Sequence, residues 1–100
     1  MKKITLLAIL ALSFSAHANK GAKLFKSKGC VACHGEAGKK PTLNSYPKLN
    51  GQNKAYLIQQ MKDIKSGKRN NGQSAQMKAI MGNVSAKDIK AIAKYLSKVK

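Results

Sequence analysis

Negative charge is scarce in this sequence. Glu36, Asp63 and Asp88 are its only acidic residues, against 20 Lys and Arg, for a formal net charge of +17 across 100 residues. Lysines ordinarily form a solvated surface, but an excess this large implies acidic partners. Arginine is scarcer still. Arg69 stands alone and aromatics are few, which argues against nucleic acid as the partner, since its readers are more often arginine-rich with aromatics interleaved. Long apolar runs are also missing. The longest, Ile4 to Phe14, falls well short of the roughly 20 residues that span a bilayer. It follows the basic Met1-Lys2-Lys3 and precedes the small-x-small Ala16-His17-Ala18, the order of a cleaved secretory signal. Residues 1–18 are therefore expected to be a signal peptide, and residues 19–100 a single exported domain. No cysteine follows the cleavage site to carry a lipid, and no repeat, low-complexity tract or second domain appears.

Cysteine and histidine number two each, and His17 leaves with the leader. A structural zinc site normally takes four such ligands, so Cys30, Cys33 and His34 are one short. No alternating Val/Ile/Thr run precedes Cys30, which argues against a thioredoxin-like dithiol at a strand end. A Cys30–Cys33 disulfide would close a tiny loop to little effect and leave His34 unexplained.

What is present is Cys30-Val31-Ala32-Cys33-His34. C-x-x-C-H is the spacing at which a chain holds a haem covalently: each thiol closes a thioether onto one vinyl group, and the histidine brings an imidazole nitrogen to the iron. A buried haem would also supply the core that a domain of this size lacks. With His34 the only remaining histidine, the other axial position falls to a methionine thioether, the usual partner for electron transfer at raised potential. Met61 sits on an apolar helical stripe, where methionine is packing. Met77 leaves a polar loop ahead of the last helix and can swing over the face opposite His34. It is the expected ligand, with Met81, four residues on, as the alternative. An iron with both faces closed has no position for a substrate, so electron transfer without bond chemistry is expected rather than an enzyme. The rival is a haem subunit or small-ligand binder with an open or displaceable sixth site.

The pattern predicts an all-α fold of three main helices and loops around one haem. The first helix runs over about 19–28 and stops at Gly29. Gly38, Pro41, Asn44, Pro47 and Gly51 make 35–51 an irregular loop. Tyr56, Leu57, Gln60, Met61 and Ile64 recur at helical spacing up to Gly67, and 68–76 reads as a further loop. Ser85-Ala86-Lys87-Asp88 is a capping box with Asp in place of Glu. Beyond it Ile89, Ile92, Ala93, Leu96 and Val99 form an apolar stripe opposite Lys87, Lys90, Lys94 and Lys98.

In this order Cys30-x-x-Cys33-His34, Pro47-x-Leu49-x-Gly51-Gln52, Tyr56-Leu57-x-x-Gln60, Gly67-x-Arg69, Met77-x-x-Ile80, Val84-Ser85-x-x-Asp88-Ile89 and Ala93-x-Tyr95-Leu96 resemble a class I c-type cytochrome. The likeness is to the small periplasmic monohaem group of the c-553 type, and it covers nearly the whole mature chain. It implies one covalent haem c, a cytochrome c fold and a soluble periplasmic electron carrier working between respiratory complexes. It implies that the first and last helices cross, with Gly21 and Phe25 meeting Ile92 and Tyr95. It also implies a proline carbonyl that accepts the second N–H of the proximal histidine, and Pro47, rather than Pro41, is the choice. Arg69 is the candidate for a haem propionate through its planar fork. Partners would be acidic docking surfaces of an oxidase, reductase or quinol-oxidising complex, with transient contact to an anionic membrane surface as a further outlet for the charge. The carrier is expected to be a monomer.

Overall fold

A computed structural model describes residues 20–100. The proposed signal peptide, 1–18, and Asn19 lie outside the described residues. Among those described there is no strand, and no helix is long and apolar enough to cross a membrane.

Helix α1 is seen over residues 20–27 and ends in a turn at Gly29, whose φ of 84° is the left-handed conformation that terminates helices. α2 follows at once as Cys30–His34, and a single 3-10 turn covers Glu36–Gly38. The 35–51 segment otherwise lacks regular structure, and its own hydrogen bonds hold it. Thr42 N–H donates to the Cys33 carbonyl at 2.9 Å, Leu49 N–H to Gly38 at 2.9 Å and Gly51 N–H to Leu96 at 2.8 Å. Ala37 takes a left-handed φ of 56° inside this segment.

α3 covers Lys54–Ser66. The Asn53 side chain caps it by accepting the Tyr56 N–H at 3.1 Å, and Gly67 closes it at φ 85°. Leu57 and Ile64 are its buried positions. α4 covers Ser74–Met81 and α5 Ala86–Ser97. The capping box at α5 is complete: Asp88 N–H donates to Ser85 Oγ and Ser85 N–H to Asp88 Oδ2, each at 3.1 Å. Ile89, Ile92, Ala93 and Leu96 are buried while Lys87, Lys90, Lys94 and Lys98 are exposed.

The expected loop over 68–76 is seen over 68–73, but its last three residues, 74–76, open α4. Met77 does not follow a loop but sits in the second turn of this eight-residue helix. The segment packs Met81 and, in part, Met77 on the core, and α4 lies against α3. Burial of these side chains favours a helix that starts at Ser74, directly after the polar turn of Asn70, Asn71 and Gly72.

α1 crosses α5 very closely. A Cβ at Gly21 would meet the Ala91 carbonyl oxygen and Tyr95 Cβ. One turn on, the buried Phe25 sets its ring 6.1 Å from that of Tyr95, tilted by 55°. α3 packs on both α4 and α5, and the Lys65 ammonium ties α3 to the Val84 carbonyl ahead of α5.

Candidate functional site

α2, α3, α4, α5 and the 35–51 loop surround a cavity of about 500 Å³, within the usual range for small-molecule and cofactor pockets. Cys30, Cys33, His34, Pro47, Arg69, Met77 and Met81 all line it, so every sequence-predicted site residue meets at one place. The reason lies in the local helix. Cys30, Cys33 and His34 are positions i, i+3 and i+4 of α2, which share one face. Gly29 starts that helix from a left-handed turn, so the face is turned inward as soon as α1 ends. Both thiols are free. Among the described residues no group of three or more His, Cys, Asp and Glu could hold a metal ion.

His34 is 7% exposed, and its Nδ1 lies 3.0 Å from the Pro47 carbonyl oxygen. A carbonyl can only accept, so Nδ1 carries the proton and Nε2 keeps its lone pair. Burial lowers the pKa of the ring, with the bond to Pro47 opposing that shift, and the neutral imidazole is the form that binds metals. Burial likewise raises the pKa of the Cys30 thiol. Cys33 is held from behind, its carbonyl accepting from both the N–H and the Oγ of Thr42, at 2.9 and 3.4 Å.

Met77 and Met81 stand one turn apart on α4. Met81 is 1% exposed and belongs to the core, whereas Met77 is only partly buried and packs at the edge of that cluster. Arg69 is half-buried. Its backbone N–H donates to the Asp63 carbonyl at 3.0 Å and its Nη1 to Gln60 Oε1 at 2.9 Å, which aims the guanidinium at the cavity edge.

No carboxylate lines the cavity among the described residues, and Arg69 is its one fixed cation. The three acids lie elsewhere. Glu36 faces Lys26 at 3.7 Å, Asp88 faces Lys28 at 3.8 Å, and Asp63 accepts from Gln59 at 2.8 Å. The wall thus carries no acidic side chain among the described residues. It offers thiols, an imidazole, thioethers and a guanidinium in a mostly apolar chamber, a donor set that fits a covalently held haem with anionic propionates.

Two participants were not assigned a role from the sequence. Gln60 orients Arg69, and its signal was a polar residue on an otherwise apolar helical stripe. Tyr46, with its ring 6.3 Å from that of His34, gives no signal beyond standing next to Pro47.

Comparison with known proteins identifies the family. The family model for cytochrome c matches residues 18–100. A cytochrome c4 from Pseudomonas aeruginosa is 40% identical over 99 residues, covering 97% of this chain and 47% of the relative. A cytochrome c-553 from Helicobacter pylori is 36% identical over 102 residues, with both chains fully covered. The crystal structure of reduced recombinant cytochrome c4 from Pseudomonas stutzeri superposes with a TM-score of 0.73 at 34% identity, covering 86% of this chain and 50% of that one. The chain spans about half the length of these cytochrome c4 relatives.

Proposed function

The chain belongs to the cytochrome c family, and from that membership we propose that it is a periplasmic one-electron carrier whose haem is ligated by His34 and Met77. It is a class I c-type cytochrome, and the family implies covalently attached haem c. The observation that carries the proposal is one wall holding Cys30, Cys33, His34 and Met77 with no carboxylate among them.

When bound, the haem supplies a one-electron ferric/ferrous couple. Cys30 and Cys33 would hold it by thioethers. His34 presents Nε2 as the donor, and Pro47 keeps the proton on Nδ1 and the ring in place, which strengthens that donor. Met77 would supply the second donor, its thioether. Its partial burial beside the cavity favours it over Met81, whose side chain already fills the core. Arg69, aimed by Gln60, would meet a propionate. With His34 and Met77 both engaged in holding the haem, no donor position would be left for a substrate, and the protein's work would be to accept an electron from one partner and pass it to another.

The leader at 1–18 supports export to the periplasm. Lysines on the surface would steer the protein onto acidic docking surfaces of its redox partners, so electron exchange should slow as ionic strength rises.

Met77→Ala tests the ligation. The variant should lose the spectrum of a low-spin, thioether-ligated ferric haem, while Met81→Ala keeps it. The reverse result assigns the ligand to Met81, and retention in both variants overturns thioether ligation from α4.

A further inference from the structure

Two Asn-Gly pairs lie in the described chain, Asn50-Gly51 and Asn71-Gly72, and the fold treats them differently. A glycine after asparagine leaves its backbone nitrogen unshielded. That nitrogen can attack the asparagine side-chain carbon, ammonia leaves, and a succinimide forms. Water then opens the ring to aspartate or isoaspartate, so the bonds balance with no oxidant or reductant.

At Asn50-Gly51 both reacting groups are engaged. Asn50 Nδ2 donates to the Lys100 carbonyl at 3.3 Å, and Gly51 N–H donates to Leu96 at 2.8 Å. Asn50 is half-buried. At Asn71-Gly72 both residues are exposed. Gly72 has a φ of 55° with open space around it. The turn is closed by Ser74 N–H donating to the Asn71 carbonyl at 3.1 Å, and no backbone partner occupies the Gly72 N–H among the described residues. Asn44-Ser45 is also exposed, but the serine side chain crowds the attacking nitrogen.

We propose that Asn71 is the site at which this protein deamidates spontaneously. The product is a carboxylate on the cavity rim. Asn71 and Arg69 both line the cavity, and residues 64–87 contain no acidic side chain, so the new charge is the first negative one on that part of the wall. Its consequence rests on the electron-carrier reading: a carboxylate there weakens attraction to an acidic partner, and the change is one-way with protein age.

The holoprotein, held warm at mildly alkaline pH and sampled over time, is digested and mapped by mass spectrometry. The Asn71 peptide should convert roughly 30-fold faster than the Asn50 peptide, the factor that opening two hydrogen bonds imposes on Asn50. In the denatured chain the two should convert at similar rates, and Asn71→Gln should abolish the fast conversion. Equal rates in the folded protein, or faster loss at Asn50 or Asn44, overturns the assignment. The Asn71→Asp variant should elute from a cation exchanger with the aged form, and its electron exchange should be less sensitive to salt. Unchanged salt sensitivity together with a positive peptide map overturns the docking consequence alone.

Discussion

Replacing Gly21 by alanine adds one methyl group at the tightest point of the α1–α5 crossing. On an exposed helix that change is favourable by about 1 kcal/mol, the propensity difference between the two residues. Here the new Cβ meets the Ala91 carbonyl oxygen and Tyr95 Cβ, neither of them the far end of a flexible side chain, so the helices must separate. Overpacking of this kind costs about 1–3 kcal/mol. Opening the Phe25–Tyr95 ring pair, now at 6.1 Å, adds up to about 1.5 kcal/mol. The clash outweighs the propensity gain, for a net loss of about 2 kcal/mol. In a domain of this length that lowers Tm by roughly 8–16 °C. Urea unfolding of the holoprotein, followed by far-ultraviolet circular dichroism, should show a lower midpoint at unchanged slope. Lys23→Ala, exposed on the same helix, should stay within about 0.5 kcal/mol of the parent. A Gly21→Ala protein as stable as the parent would refute the close approach.

Met81→Ala should keep the parent spectrum yet lose about 2–5 kcal/mol of stability in the same assay, because it empties a site 1% exposed in the core. Ser85→Ala removes the acceptor for Asp88 N–H and should cost about 1 kcal/mol. Asp88 has its pKa lowered, first by the Ser85 N–H bond and further by the charges of Lys28 and Lys20. A depressed folded pKa stabilises fully above the unfolded value of about 3.9 and is lost as pH falls through the folded one. The stability gap between the parent and Asp88→Asn should therefore be constant near neutrality and close below about pH 4. A gap that persists in acid would assign the effect to geometry rather than charge.

Much of the molecule is legible in its residues because the signals are local. The α5 cap is carried by Ser85 and Asp88, three apart, and the α3 stop by Gly67. The spacing of Cys30, Cys33 and His34 is a helix face written directly into the chain. α4 was not legible: its polar lead-in at Asn70–Gly72 carries turn chemistry, and its helix is stabilised by packing on α3 that no local pattern encodes. The left-handed Ala37 is similarly hidden, since alanine gives no hint of a positive φ and the surrounding hydrogen bonds impose it. The Gln60–Arg69 bond joins a helix to a loop, and only the fold shows that they meet.

The proposed function depends most on His34 and Met77 both holding one covalently bound haem. The direct test is to expose the reduced, unmodified protein to carbon monoxide at neutral pH and follow its visible spectrum. The expected result is an unchanged spectrum and full recovery of the oxidised form after one-electron oxidation. Prompt formation of a carbon monoxide adduct would contradict it and place the protein among ligand-binding haem proteins.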